Sequence, residues 1–190
     1  MNQHQRHLRV PLKARAEEYL ERARDLFIFS LDRPALLREA LIHARKALLL
    51  DPRNCDTLNL LGSIYADFDD PKSTTQALRY YDDAIALYPN CPDAYDGKAG
   101  VLMYSLDQPE EAESLARKAL ALAKRNGEPA ESLEFFYDTL IGILVVRKKH
   151  AQARWLIRRA LRDCPSEFMK GMVEQPLKEI AESSPSATAV

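Results

Sequence analysis

Four alanines, Ala47, Ala84, Ala119 and Ala160, recur at intervals of 37, 35 and 41 residues, and each sits in the same local pattern. Seven positions earlier stands another alanine (Ala40, Ala77, Ala112, Ala153), with Ala44, Tyr81, Ala116 or Ile157 between the two. Offsets of four and three put these side chains on one helix face. Pro52, Pro89 and Pro165 follow three of the four copies, and Asn126-Gly127, a left-handed cap, ends the other. A second amphipathic pattern precedes each copy, clearest in Leu58, Leu61, Gly62 and Tyr65. The chain is therefore read as helical hairpins. Small residues such as Gly62, Ala77 and Ala84 let two helix backbones approach, and Tyr65 and Tyr81 fill the space beside them. A hairpin of this size leaves apolar surface on its outside and requires neighbours of its own kind.

Taken in order, the first helix is expected from about Leu12 to Ser30, with Leu12, Tyr19, Ala23, Leu26 and Phe27 as its inner face. Its partner runs from about Pro34 to Leu50. Tyr95, Ala99 and Leu102 mark a helix near 92–106, paired with one near 109–125. Tyr137, Leu140, Ile141 and Leu144 open the fourth hairpin. The copies are bounded at about 12–52, 53–91, 92–127 and 128–165. Insertions are expected in the turns, above all in 67–75 and at the 126–131 connection. Ser166 can cap a further helix over 166–182, with Phe168, Met169, Met172, Leu177 and Ile180 inward and a kink or break at Pro176. Its expected role is to cover the last hairpin; transient docking of a partner is the alternative. The basic start (1–11) and the small-residue end (183–190) are expected to be disordered.

Leu58, Leu61, Gly62, Tyr65, Ala77, Tyr81, Ala84 and Pro89 resemble the tetratricopeptide-repeat (TPR) consensus, with a three-residue insertion before Ala77 relative to the 34-residue family period. The resemblance covers about residues 12–165. It implies an all-α, right-handed superhelical solenoid of four repeats plus a C-terminal capping helix. It also implies a concave groove lined by the first helix of each repeat.

Chemistry-bearing motifs are sparse. The chain carries no G-x-S-x-G, Walker or dinucleotide-binding glycine pattern, and Gly97 and Gly100 lie inside a helical pattern with no strand before it. Glu39 and His43 share a helix face, but two ligands without a third read as a surface pair. Cys55, Cys91 and Cys164 are odd in number and form no C-x-x-C pair, so neither a disulfide framework nor a zinc site is expected. An enzyme, a metal site and a cofactor are therefore not expected. No secretory signal and no membrane-spanning run is apparent, and the default compartment is the cytoplasm.

Charge is unevenly placed. Residues 51–114 carry 13 acidic against 4 basic side chains, between basic flanks. With a formal net charge of −1, the whole chain is a poor candidate for nucleic-acid binding. The basic cluster Arg147-Lys148-Lys149-His150, with Arg158, Arg159 and Arg162, reads as a solvated face, or else as a surface for an acidic partner or a phosphate-rich surface. Trp155 is expected to pack under the C-terminal helix near Phe168.

Within the implied groove, Gly62, Ala99 and Ile141 serve as anchors. Three positions before them stand Asn59, Asp96 and Asp138; six before, Asp56, Asp93 and Phe135; one after, Ser63, Gly100 and Gly142. Short acceptors beside small residues suit an extended, basic or polar peptide; the alternative is that these are solvated helix-face carboxylates. The two-carboxylate clamp of heat-shock co-chaperones requires Lys and Asn, then Asn, then Lys and Arg. In one register this chain offers Leu20 and Arg24, Leu60, then Asp93 and Gly97; in the other it offers Asn59 and Ser63, Gly97, then Phe135 and Thr139. Both registers fail, so that clamp is excluded. The expected function is a non-catalytic scaffold or adaptor that binds a peptide or helix of another protein. Self-assembly through acidic and basic segments, or service as a small chaperone, is the alternative.

Overall fold

The computed structural model describes residues 11–68 and 70–183. Within them lie nine α-helices and no strand: α1 (Leu12–Ile28), α2 (Pro34–Leu50), α3 (Cys55–Ala66), α4 (Pro71–Leu87), α5 (Pro92–Tyr104), α6 (Pro109–Asn126), α7 (Ala130–Val146), α8 (His150–Asp163) and α9 (Glu167–Glu182). They form two compact units, α1–α4 and α5–α9. Of the terminal stretches expected to be disordered, 1–11 and 183–190, all but Pro11 and Ser183 lie outside the described residues.

In the first unit α1 pairs with α2, α3 pairs with α4, and α2 packs on α3. Ala40, Ala44, Ala47, Ala77 and Ala84 are fully buried, so the small residues occupy the seams. Tyr81 is the large exception, and it is accommodated because Gly62 faces it without a side chain. Tyr65 ties the second hairpin to the first: its ring lies 5.6 Å from that of Tyr80, and Arg45 of α2 donates to its hydroxyl. Asn54 caps α3 by accepting from the Thr57 backbone N–H at 2.8 Å.

The first helix is phased differently from the sequence expectation. Ala16, Leu20 and Ala23 form the buried stripe of α1. Leu12 begins the helix and is 61% exposed, while Tyr19, Leu26 and Phe27 are only half-buried. The turn expected over 67–75 is also shorter, because α4 already starts at Pro71. Asp70 explains this. Its Oδ1 accepts from the backbone N–H groups of Lys72 and Ser73, both at 3.0 Å, ahead of a proline that fits the first helical position. The hydrogen bonds from Ser73 hold its carboxyl below the usual carboxylate range. The three extra residues thus lengthen a helix rather than a loop. In both α2 and α4 the starting proline stands six residues before the first seam alanine; in α6 the interval is three.

In the second unit α5 pairs with α6, α6 with α7 and α7 with α8, and α9 lies on α7 and α8. Ala99, Ala112, Ala116, Ala119, Ala153 and Ala160 are all fully buried. Gly127 ends α6 at φ 75°, where glycine carries no Cβ penalty. Among the described residues three non-glycine positions share that left-handed conformation: Asp32, Asp107 and Lys148, each two residues before a second helix.

The α9 stripe consists of Met169, Val173 and Ile180. Met169 and Ile180 are buried as expected, whereas Phe168 and Leu177, also expected inward, are 53% and 41% exposed and Val173 takes the inner position between. Pro176 lies inside α9, which continues through it to Glu182. Ser166 caps α9, accepting from the Met169 N–H at 2.9 Å while its hydroxyl donates to the buried Glu134 of α7. Trp155 does not sit under this helix. It is 54% exposed, with the Arg159 guanidinium 5.4 Å from its ring centroid, and Phe168 pairs instead with Phe135 at 6.0 Å.

Candidate functional site

Six of the nine groove residues expected from the sequence lie on α5 and α7 of the second unit. Asp93 is in the first turn of α5, where a carboxylate complements the helix N-terminus. Asp96 follows three residues later and Gly100 four after that, on one stripe that ends at Tyr104. On α7, Phe135, Asp138 and Gly142 follow the same spacing. Tertiary packing of α5 against α7 joins the two stripes.

The junction is Asp96. Its Oδ2 lies 3.0 Å from Thr139 Oγ1, and that hydroxyl is also 3.2 Å from the carbonyl oxygen of Phe135. One hydroxyl proton serves one acceptor at a time. Thr139 donates to Asp96, with the Phe135 carbonyl as the alternative acceptor for the same proton. The other oxygen, Oδ1, is buried without a hydrogen-bond partner, which is far cheaper for a neutral carboxyl than for an ion. Burial accordingly pushes Asp96 up to about 7, with the charges of Asp93 and Asp138 adding to the shift and the Thr139 hydrogen bond opposing it. Burial also raises Asp138. The Tyr104 hydroxyl, which lies against Gly142 although most of the residue is exposed, is raised by partial desolvation there and by the charges of Asp138 and Asp96. Desolvation is the largest cause of each of these shifts, and neighbouring carboxylate charge adds to it at Asp96 and Tyr104.

Space on this face is unequal. A Cβ on Gly100 would meet nothing within 4 Å. At Gly142 the room is taken, since a Cβ would stand 3.2 Å from the Tyr104 hydroxyl oxygen. Phe135 is 58% exposed and forms, with Phe168, an aromatic edge. Tyr104, at 72% exposure, is absent from the expected set, although it continues the 96-100-104 stripe. Thr139 escapes a reading of the sequence because its role depends on how α5 and α7 pack.

The remaining three expected residues lie on α3 of the first unit and are engaged locally. Asp56 is 3.6 Å from Arg24 of α1. Asn59 donates to Cys55 Sγ at 3.6 Å. Ser63 hydrogen-bonds the Asn59 carbonyl at 3.2 Å and lies 3.1 Å from the Tyr81 hydroxyl of α4.

The basic cluster after α7 is not a freely solvated face. Glu113 is 6% exposed and is met by Arg147 at 2.6 Å, Lys149 at 2.8 Å and Arg117 at 2.9 Å. Burial pushes its carboxyl up, but hydrogen bonds from Lys149 and Arg117 outweigh that and hold it below the usual range. Asp163 is likewise held down, by Lys124 and by the Tyr137 hydroxyl at 2.5 Å. Among the described residues no group of three or more metal-ligating side chains lies together, and no helix is long and apolar enough to cross a membrane.

No family model and no curated protein matches the chain. Solved structures do. TTC0263, a thermophilic TPR protein of Thermus thermophilus, is 18% identical over 87% of this chain and 81% of its own, with a TM-score of 0.70. YrrB, a TPR protein with an unusual peptide-binding site, is 17% identical over 90% of this chain and 88% of its own, with a TM-score of 0.53. An O-GlcNAc transferase of Thermobaculum terrenum is 19% identical with a TM-score of 0.61; the match covers 82% of this chain but 27% of that enzyme. All-helical hairpins with alanine seams and these structural neighbours agree: the chain has the tetratricopeptide-repeat fold.

Proposed function

We propose that this protein is a non-catalytic interaction scaffold and that the α5–α7 face captures an extended basic or polar segment of another protein. The observation that carries the reading is the Asp96 carboxyl, whose Oδ1 is buried without a hydrogen-bond partner, on the same face as Asp93 and Asp138. A lysine or arginine side chain placed there supplies a donor to the unmatched Asp96 Oδ1. The open space over Gly100 admits a backbone, and Phe135 with Phe168 supplies an apolar edge for a neighbouring side chain. YrrB is described as a peptide-binding TPR protein, which supports the same use of the fold. The three α3 residues, Asp56, Asn59 and Ser63, take a smaller part in this reading because their polar groups already serve local contacts.

The experiment is affinity capture from a native lysate with mass spectrometry, comparing wild type with the Asp96→Asn/Asp138→Asn double variant. Asparagine is chosen over lysine because a long cation at the Thr139 contact would disturb packing. A protein retained by wild type and lost by the variant supports the proposal; equal retention by both contradicts it.

A further inference from the structure

The aromatic end of the α5–α7 face is built from two elements. Phe135 stands on α7 and Phe168 in the first turn of α9. Their rings lie 6.0 Å apart at 56°, and the two residues are 58% and 53% exposed. Single exposed apolar residues are ordinary, but two rings held against each other form a patch. The position of Phe168 is fixed from below. Its neighbour Met169 is fully buried, and the Ser166 hydroxyl accepts from the Met169 N–H at 2.9 Å while donating to buried Glu134 of α7. Beside Phe168, Glu167 and Lys170 are paired with each other at 2.5 Å, so this turn of α9 presents a ring and a matched ion pair.

The order of residues along α7 sets what a ligand must carry. Phe135 is followed by Asp138, by Thr139 with Asp96 attached, and by Gly142, against which the Tyr104 hydroxyl lies. Asp138 is exposed and has no hydrogen-bond or ion-pair partner among the described residues. The face is thus apolar at one end, acidic in the middle and hydroxyl-bearing at the other end. At 1.5 Å rise per residue, the acidic centre lies about 4.5–6 Å from Phe135 along the helix. In an extended segment, adjacent side chains point to opposite faces, and those two residues apart lie about 6.5 Å apart on one side. A basic side chain at Asp138 and Asp96 therefore brings the side chain two residues away over the rings. The adjacent side chain points off the face, and one four residues away, at about 13 Å, overshoots the patch.

We infer that α9 is part of the recognition surface, and that the captured segment carries an apolar side chain two residues from its basic one, seated on Phe135 and Phe168. This rests on the reading that the α5–α7 face takes a basic segment and adds the spacing that the face selects. Aromatic side chains suit the role because they offer a large, stiff contact area at low entropic cost.

The test titrates the full chain into labelled, blocked peptides and follows anisotropy. The first peptide carries one arginine and one leucine two residues apart in a serine–threonine background, made in both orders. The comparison peptides have serine in place of leucine, arginine and leucine adjacent, or arginine and leucine four residues apart. The two-apart peptide, in one of its orders, should bind at least about tenfold more tightly than every comparison peptide. Phe168→Ser should abolish that advantage and leave the affinity for the leucine-free peptide within about twofold. Because Phe168 is exposed, the variant keeps its helicity, checked by circular dichroism, and the wild-type peptide comparison stands without it. Equal affinity for the two-apart and leucine-free peptides overturns this inference and leaves capture of a basic segment standing. A preference for the adjacent or four-apart peptide, or an undiminished advantage in Phe168→Ser, overturns it as well. No binding of any arginine peptide up to about 1 mM overturns the basic-segment reading and this inference with it.

Discussion

A Cβ placed on Gly62 would stand 2.6 Å from Cε1 of Tyr81 and 2.7 Å from its Cζ, so α3 and α4 meet where one residue has no side chain and the other has a ring. The ring is itself only 2% exposed and has no free direction in which to move. Gly62→Ala should therefore destabilise the first unit by about 1–3 kcal/mol, the usual cost of overpacking a core. Urea unfolding followed by circular dichroism measures this. Combining it with Tyr81→Leu, which removes the ring, should cost less than the two single changes added together.

Asp96 gives the second unit a pH dependence. Its folded-state value of about 7 lies above the ordinary carboxylate value, so the folded state holds a proton that the unfolded chain releases. Its stabilising contribution is complete below about pH 4 and is lost as pH rises to about 7. Glu113 and Asp163, both held low, act in the opposite sense and lose stability in acid. Asp96→Asn removes only the first effect. The variant should gain on wild type from pH 5 to pH 8, by more than about 1 kcal/mol at the upper end. Thermal melts at the two pH values decide the matter, and a constant difference would show that Asp96 does not titrate in this window.

The Glu113 cluster predicts a larger loss. Glu113→Gln leaves Lys149, at 33% side-chain exposure, without its carboxylate, and Arg147, at 19%, with only the exposed Glu110 at 2.8 Å. The expected cost is roughly 2–4 kcal/mol, because removing one member of a buried ion-pair group strands the others. Denaturant unfolding of the variant measures it, and exposed Glu111→Gln provides the control, expected within about 0.5 kcal/mol of wild type.

Lys148 offers a gain. It holds φ 56° on the surface, in the same role as Asp32 and Asp107, but without the short polar side chain that tolerates that conformation. Lys148→Gly should stabilise by about 0.5–1 kcal/mol, raising Tm by about 1–4 °C. Differential scanning calorimetry checks it; Asp107→Gly should do less.

The parts of the fold that rest on small residues are legible in the sequence. Ala40, Ala77, Ala112 and Ala153 stand out because close helix approach admits little else, and the register of Gly62 against Tyr81 follows from the same spacing. The complete inner face of α1 and of α9 is not legible. Leu12, Phe168 and Leu177 are large and apolar, yet Ala16 and Val173 take the buried positions, because a helix at the end of a unit can leave apolar residues uncovered. The lengthening of α4 is signalled by Asp70-Pro71, a cap followed by a first-turn proline, within a stretch that otherwise reads as turn. Around the candidate site, Asp93, Asp96 and Asp138 can be named from helix offsets alone. The Thr139–Asp96 contact cannot, since it spans 43 residues and depends on tertiary packing. The basic cluster hides its partners for a related reason. Glu113 meets Arg147 and Lys149 at separations of 34 and 36 residues, about one repeat, and a local charge run does not reveal partners that far away.

The central claim, that the α5–α7 face selects a basic segment, is tested most directly by selection from a random peptide display library. Wild type, the Asp96→Asn/Asp138→Asn variant and the control Arg158→Glu, at an exposed position of α8, are screened in parallel after circular dichroism confirms equal helicity. The account predicts a set of lysine- or arginine-containing peptides that wild type and Arg158→Glu both recover and the double asparagine variant loses. Recovery of the same basic peptides by the double asparagine variant, or no basic set from wild type, would contradict it.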